Sequence, residues 1–335
     1  MNRCWALSAK VSRTDQSFNA LSARFSYNDI RNAIGEIDRV FLNTPQFECE
    51  PLGEMFDCKI ILKVETINPI RSFKGRGAEL LTSKAKEKSL MCASAGNFGQ
   101  AMAWSCRKRG IDLTVYASIY ANLFKVQRMK ELGATVVQAG DDFDASKALA
   151  REVASKKGIR FVEDSLDVET VIGAGTIGLE LSELGNAPDF VLVPLGNGAL
   201  INGIATALKK ESPSTKVVAI QSASAPAMIE SFKTGKIITH ESITTICDGI
   251  GVRIPVPEAL DEMNGLVDDG LLVSEKTLFE AMRLLRSHAG LIVEPSGAVG
   301  LAAMLENREL FTGKTVALIL TGSNLTDQQV QQWFN

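Results

Sequence analysis

Of the side chains in this sequence that can do covalent chemistry, Lys74 occupies the most suggestive position. The run Asn68-Pro-Ile-Arg-Ser-Phe-Lys-Gly-Arg-Gly-Ala78 leads from an aliphatic segment into a stretch that reads as a helix. Pro69 punctuates the loop, and Ser72 has the side chain of a helix cap. Lys74 then falls near the positive end of a helix, where the dipole disfavours an ammonium ion. Burial acts in the same direction, and a neutral amine is what Schiff-base formation needs. Taken alone, the same residues describe more simply a solvated lysine at a helix start.

Three further loops carry the residues of a binding site. Ser94-Ala-Gly-Asn-Phe-Gly-Gln100 is small and polar, so its backbone N–H groups can approach an anion such as a carboxylate. Pro194-Leu-Gly-Asn-Gly-Ala-Leu200 places Gly196 and Gly198 before a helix, in the manner of a phosphate cradle. It is not a dinucleotide fingerprint, because Ile201 stands where the third glycine belongs and Gln221 where a ribose-binding acid belongs. Nor is it a nucleotide P-loop, since Ala199 follows the second glycine instead of lysine. The pattern suits a lone phosphate monoester. In Leu320-Thr-Gly-Ser-Asn324, Thr321 can hydrogen-bond a ring nitrogen. Each loop also has a plain reading as a turn or cap with nothing bound.

The elements that must hold these loops alternate along the chain. Strands are expected at 60–64, 90–93, 112–117, 134–138, 160–162, 190–195, 217–220 and 316–320. Helices are expected at 77–88, 99–109, 122–132, 142–157, 170–184, 200–210 and 275–289. This alternation calls for an α/β fold with two open, mostly parallel twisted sheets covered by helices on both faces. Residues 89–166 are predicted to form a small mobile unit on the substrate side. Residues 1–88 and 167–335 would make the larger one.

Composition excludes several classes. With 335 residues, 45% of them hydrophobic and 22% charged, the chain is ordinary for a globular enzyme. A net charge of −3 and the lack of a basic stripe argue against nucleic acid. No apolar run approaches the roughly 18–20 residues of a membrane span. Six cysteines without a paired spacing read as thiols of a reducing cytoplasm. Two histidines leave little material for a His-based metal site or a Ser-His-Asp triad. Residues 1–24 have Arg3, Lys10, Arg13 and Arg24 against Asp15, a composition like that of a transit peptide; a loosely held arm, or a helix packing on the enzyme or its dimer mate, is the preferred expectation.

In order and spacing together, the loops resemble the fold-type-II pyridoxal-phosphate enzymes, whose fold is that of the tryptophan synthase β subunit. Within them the chain is similar to the threonine/serine dehydratase and serine racemase group. The likeness runs from about Thr44 to Asp327 and includes Asp248-Gly-Ile and Glu294-Pro-Ser-Gly-Ala298. It implies that Lys74 carries the cofactor as a Schiff base and removes the substrate's Cα proton. Phe73, Asn97, Gly196, Asn197, Gly198, Ala199, Leu200, Glu294 and Thr321 would contact the cofactor. Ser94, Ala95, Gly96, Asn97 and Phe98 would face a small amino-acid substrate. The implied reaction is loss of the β-hydroxyl of threonine or serine, giving a 2-oxo acid and ammonia, in a homodimer.

Departures from the group's pattern bear on the activity. Phe98 replaces a usual histidine, giving an apolar wall. Ala95 replaces the serine of serine racemases, so racemisation loses its second acid/base group. Thr321, the run to Asp327 and Gly196-Asn-Gly resemble threonine synthases, which keeps β- or γ-replacement open as an alternative, with a non-catalytic binding protein ranked lower. Gln221-Ser-Ala-Ser-Ala-Pro-Ala227 offers no carboxylate where relatives hold a divalent cation, so no metal site is expected. The sequence after the last loop is too short for the regulatory domain of biosynthetic dehydratases.

Overall fold

The structure, a computed structural model, describes residues 24–334; the arm expected over residues 1–24 lies outside them but for Arg24. Among the described residues, ten strands form two sheets. β1 (Gln46–Glu48), β2 (Lys59–Val64), β7 (Phe190–Pro194), β8 (Lys216–Ser222), β9 (Asp269–Val273) and β10 (Thr315–Leu320) make a six-stranded sheet in the order β1-β2-β10-β7-β8-β9. β3 (Ser89–Ala93), β4 (Asp112–Ala117), β5 (Thr135–Gln138) and β6 (Arg160–Val162) make a four-stranded one in the order β5-β4-β3-β6. All pairings are parallel except that of β1 with β2, an antiparallel edge. Val64, Val191, Leu192, Val193 and Leu318 are buried, as central parallel strands covered on both faces require.

Sequence expectation and structure differ in instructive places. The helix expected at 77–88 runs over Lys74–Lys84, so Lys74 is its first residue. Gly75 and Gly77 weaken helix propensity there, but they are needed for packing. A Cβ on Gly173 would lie 2.6 Å from Gly77 N and Cα, and one on Gly203 would lie 2.3 Å from Val171 O. Those glycines let the helices Lys74–Lys84, Val168–Ser182 and Ala199–Glu211 touch backbone to backbone. The helix Pro295–Glu306 was not foreseen because residues 295–304 are all buried, leaving no polar face to mark a period. Edge strand β1, strand β9 and the short helices Tyr27–Ala33, Glu50–Phe56, Ala227–Thr234, Pro257–Met263 and Asp327–Phe334 were also missed. Each is too short to show a pattern.

A buried ionic network fixes the Lys74 helix in rotation. Arg76 has no exposed surface. Its Nε and Nη2 donate to Glu65 Oε2 and Oε1 at 2.9 and 2.8 Å, and its Nη1 donates to Glu180 Oε1 at 2.6 Å. Lys63, also fully buried, donates to Thr44 O at 2.9 Å and pairs with Glu180. Burial by itself would lower the Arg76 pKa; Glu65 and Glu180 reverse that and hold it above its ordinary value. Arg76 and Glu65 thus form a buried, bidentate structural ion pair.

Removing one partner from such a network strands the other charge. Arg76→Met is therefore expected to cost about 3–5 kcal/mol in unfolding free energy by urea titration. Arg76→Lys, lacking the planar fork, is expected to recover less than half of it.

Candidate active site

The four chemistry-bearing loops all leave carboxyl ends of strands, β2, β3, β7 and β10, and they meet in one cleft between the sheets. This is where open parallel sheets collect ligands. The cleft holds about 220 Å³ and opens beside a second hollow of about 550 Å³. Phe73, Lys74, residues 94–98, Gly196, Asn197, Gly198, Leu200, Glu294 and Thr321 line it. Of the residues expected at the site, Ala199 is the exception. As the first residue of the helix Ala199–Glu211, it packs its methyl group into the core.

Side chains of the β2 loop aim Lys74. Asn68 Oδ1 accepts from Ile70 N and Ser72 N at 3.2 Å each, while Nδ2 donates to Glu65 O and Ser72 O. Phe73 N donates to Thr321 O at 3.1 Å, and Ser323 N to Arg71 O at 3.0 Å, clipping this loop to the one after β10. The N-cap residue is Phe73, not Ser72; the Ser72 hydroxyl accepts from Lys74 N at 3.3 Å. The Lys74 side chain is 15% exposed, with Nζ 4.5 Å from the Phe73 ring centre.

Asp164 corrects the picture of an isolated amine. Its Oδ2 pairs with Lys74 Nζ and also accepts from Asn197 Nδ2 at 2.8 Å. Its Oδ1 is buried with no partner. One carboxylate thus spans the lysine and the glycine turn, which places Lys74 and Gly196–Leu200 side by side. In that turn Gly198 has φ +99°, and a Cβ there would lie 2.6 Å from Ala259 Cβ.

Around the β3 loop, hydroxyl and amide groups serve the loop itself. Ser94 lines the cleft, and its Oγ accepts from Gly96 N and Gly99 N at 3.1 and 2.9 Å, shaping the turn. Asn97 and Phe98 begin the helix Asn97–Arg109, where backbone N–H groups have no preceding carbonyl to bond. Asn97 Nδ2 donates to Glu294 Oε1 at 2.7 Å, and its Oδ1 accepts from Asn324 Nδ2 at 2.8 Å. Both ends of the amide expected to reach a cofactor oxygen are therefore engaged within the chain. Phe98 is buried in the apolar cluster with Val126 and Met129, and it also borders the cleft. Burial raises the pKa of Glu294; Lys125 opposes the shift and Asp248 reinforces it.

Sequence reasoning missed Asp164 and Lys125, and gave Asp248 no role. Asp164 follows β6 by two residues, so the carboxyl-end rule that found the other loops also reaches it. Lys125 lies in the first turn of an amphipathic helix, where nothing in the sequence distinguishes it from a solvated lysine.

Comparison with known proteins agrees with this geometry. Residues 37–322 match the family model described as pyridoxal-phosphate dependent enzyme. The chain is 33% identical over 313 residues to the L-threonine ammonia-lyase of Thermotoga maritima, covering 92% of this chain and 77% of that one. It is 35% identical over 309 residues to a catabolic L-threonine dehydratase of Staphylococcus aureus, covering 90% and 89%. Among solved structures, a T.th. threonine deaminase superposes with TM-score 0.84 at 31% identity, over 90% of this chain and 99% of that one. Maize serine racemase gives 0.86 at 27%, over 92% and 96%.

The glycine turn yields a prediction of its own. Gly265, with φ +81° and open space around it, is a control, and its change to alanine is expected to cost about 1–2 kcal/mol. Gly198→Ala adds the Ala259 contact and is expected to cost about 1–3 kcal/mol more, read by thermal unfolding.

Proposed function

Since the chain belongs to the family of pyridoxal-phosphate dependent enzymes, we propose that it removes the β-hydroxyl of L-threonine or L-serine, yielding a 2-oxo acid and ammonia. The observation that carries this reading is the Asp164 bridge, which sets the Lys74 amine against the glycine turn. Those are the two groups needed to hold a phosphorylated aldehyde. The donor set fits the cofactor: the Lys74 amine beside the glycine turn, helix-start N–H groups, and a turn kept open by Gly198.

In this reading Lys74 Nζ would bond the cofactor aldehyde, backbone N–H groups of Gly196–Leu200 would hold its phosphate, and Thr321 would hydrogen-bond its ring nitrogen. When bound, the cofactor withdraws electrons from the amino acid's Cα, so that the Cα–H becomes acidic and a β-substituent can leave. Helix-start N–H groups of Asn97 and Phe98 hold the substrate carboxylate. Once the substrate's own amine has displaced it from the aldehyde, Lys74 is a free amine beside the Cα–H and would take that proton onto Nζ, with Asp164 placed to pair with the resulting ammonium. Phe98 keeps the substrate-side wall apolar. Ala95 brings no hydroxyl that could return a proton to the opposite face, which disfavours racemisation.

The same proposal assigns residues 89–166 to a small unit that closes over the substrate and excludes water, with residues 1–88 and 167–335 as the larger body. Support comes from the four-stranded sheet, which is built wholly from 89–162. Unpaired Cys49, Cys58, Cys92, Cys106 and Cys247 suit a cytoplasmic setting. Among the described residues no helix is long and apolar enough to cross a membrane. A homodimer completes the reading, and sedimentation velocity checks it.

The deciding assay supplies the cofactor and L-threonine or L-serine alone. A 2-oxo acid is expected, and Lys74→Ala is expected to lower kcat/KM by at least about 10²–10⁴-fold. A protein that makes no 2-oxo acid until a second nucleophilic substrate is added is a replacement synthase instead.

A further inference from the structure

The helix Leu123–Glu131 packs with the four-stranded sheet, yet its first turn sends one charged side chain across the cleft. Lys125 is only 4% exposed, and a buried ammonium needs partners. Its Nζ donates to Asp248 Oδ2 at 2.5 Å and to Glu294 Oε2 at 3.3 Å, both on the side of the six-stranded sheet. Burial alone would lower the Lys125 pKa; the two carboxylates overcome this and hold the lysine charged.

On its way Lys125 passes beneath the loop 94–98. A Cβ on Gly96 would sit 3.2 Å from Lys125 Cδ and 3.5 Å from Nζ, so glycine at 96 is what lets the ammonium reach the loop backbone. The Asp248 side chain, 51% exposed, looks into the cleft. One cation thus serves two carboxylates beside a loop that is to receive a third. Without Lys125, the charges nearest an incoming carboxylate at that loop would be the like charges of Asp248 and Glu294.

We propose that Lys125 is the positioning residue for the amino acid's carboxylate, supplying positive charge under the Ser94–Phe98 loop for which Asp248 and Glu294 compete. The inference rests on that loop being the carboxylate subsite of the reading above, and it places the effect of Lys125 on substrate affinity more than on turnover.

Holoenzyme variants test it, with KM and kcat for L-threonine and a direct titration of the bound cofactor's absorbance. Lys125→Met is expected to keep that absorbance while raising KM about tenfold or more, with a smaller fall in kcat. Lys125→Arg, which keeps the charge, is expected to stay within about fivefold of the parent KM. A KM unchanged in Lys125→Met, or equally weak in both variants, overturns the inference. A parent protein inactive on threonine and serine overturns the underlying reading instead. If Lys125→Met does not fold, Asp248→Asn decides. It removes a carboxylate competing for Lys125, so KM is expected to fall about two- to threefold, and a KM that holds or rises overturns the inference.

Discussion

Two residues beyond Lys74, the guanidinium of Arg76 is sealed between Glu65 and Glu180, and that enclosure sets the direction in which the lysine leaves its helix. The carboxylates come from the end of β2 and from the helix Val168–Ser182, so the network joins the strand before the loop to the helix that packs on it. Close contact at Gly77 and Gly173 fixes the distance between the helices, and the bidentate pair with Glu65 fixes rotation. With both set, Lys74 points into the cleft and not to solvent. The remaining loops can then be built around it.

Charge is distributed in that cleft with little surplus. Lys74 faces Asp164, and Lys125 faces Asp248 and Glu294. Every cation has a partner in the chain, so a phosphate or a carboxylate must compete with existing pairs or use backbone N–H groups at helix starts. Such groups carry partial positive charge without a mobile counter-ion. This explains why three of the four binding loops are also helix starts: Lys74–Lys84, Asn97–Arg109 and Ala199–Glu211 all begin at the cleft.

Much of this was legible before the structure. Strands with β-branched runs and helices with a clear apolar face fell where periodicity put them; Asp112–Ala117 and Glu275–Ala289 match to the residue. What escaped has physical causes. The helix Pro295–Glu306 is buried all round and so has no period. The helix at Lys74 starts earlier than its glycines suggest, because docking outweighs propensity. Spacing along the chain revealed loops, while Lys125 and Asp164 matter through partners 169 and 90 residues away. Ser94 and Asn97, whose types marked them in the sequence, line the cleft, and their polar atoms also fasten the loop and its neighbours.

The central claim is that one amine, Lys74, lies within reach of the glycine turn and takes up the cofactor's aldehyde there. Borohydride reduction of the holoprotein followed by peptide mapping measures this directly. The account predicts one phosphopyridoxyl label, on Lys74, absent from Lys74→Ala. A label spread over surface lysines, or retained unchanged in Lys74→Ala, would contradict it.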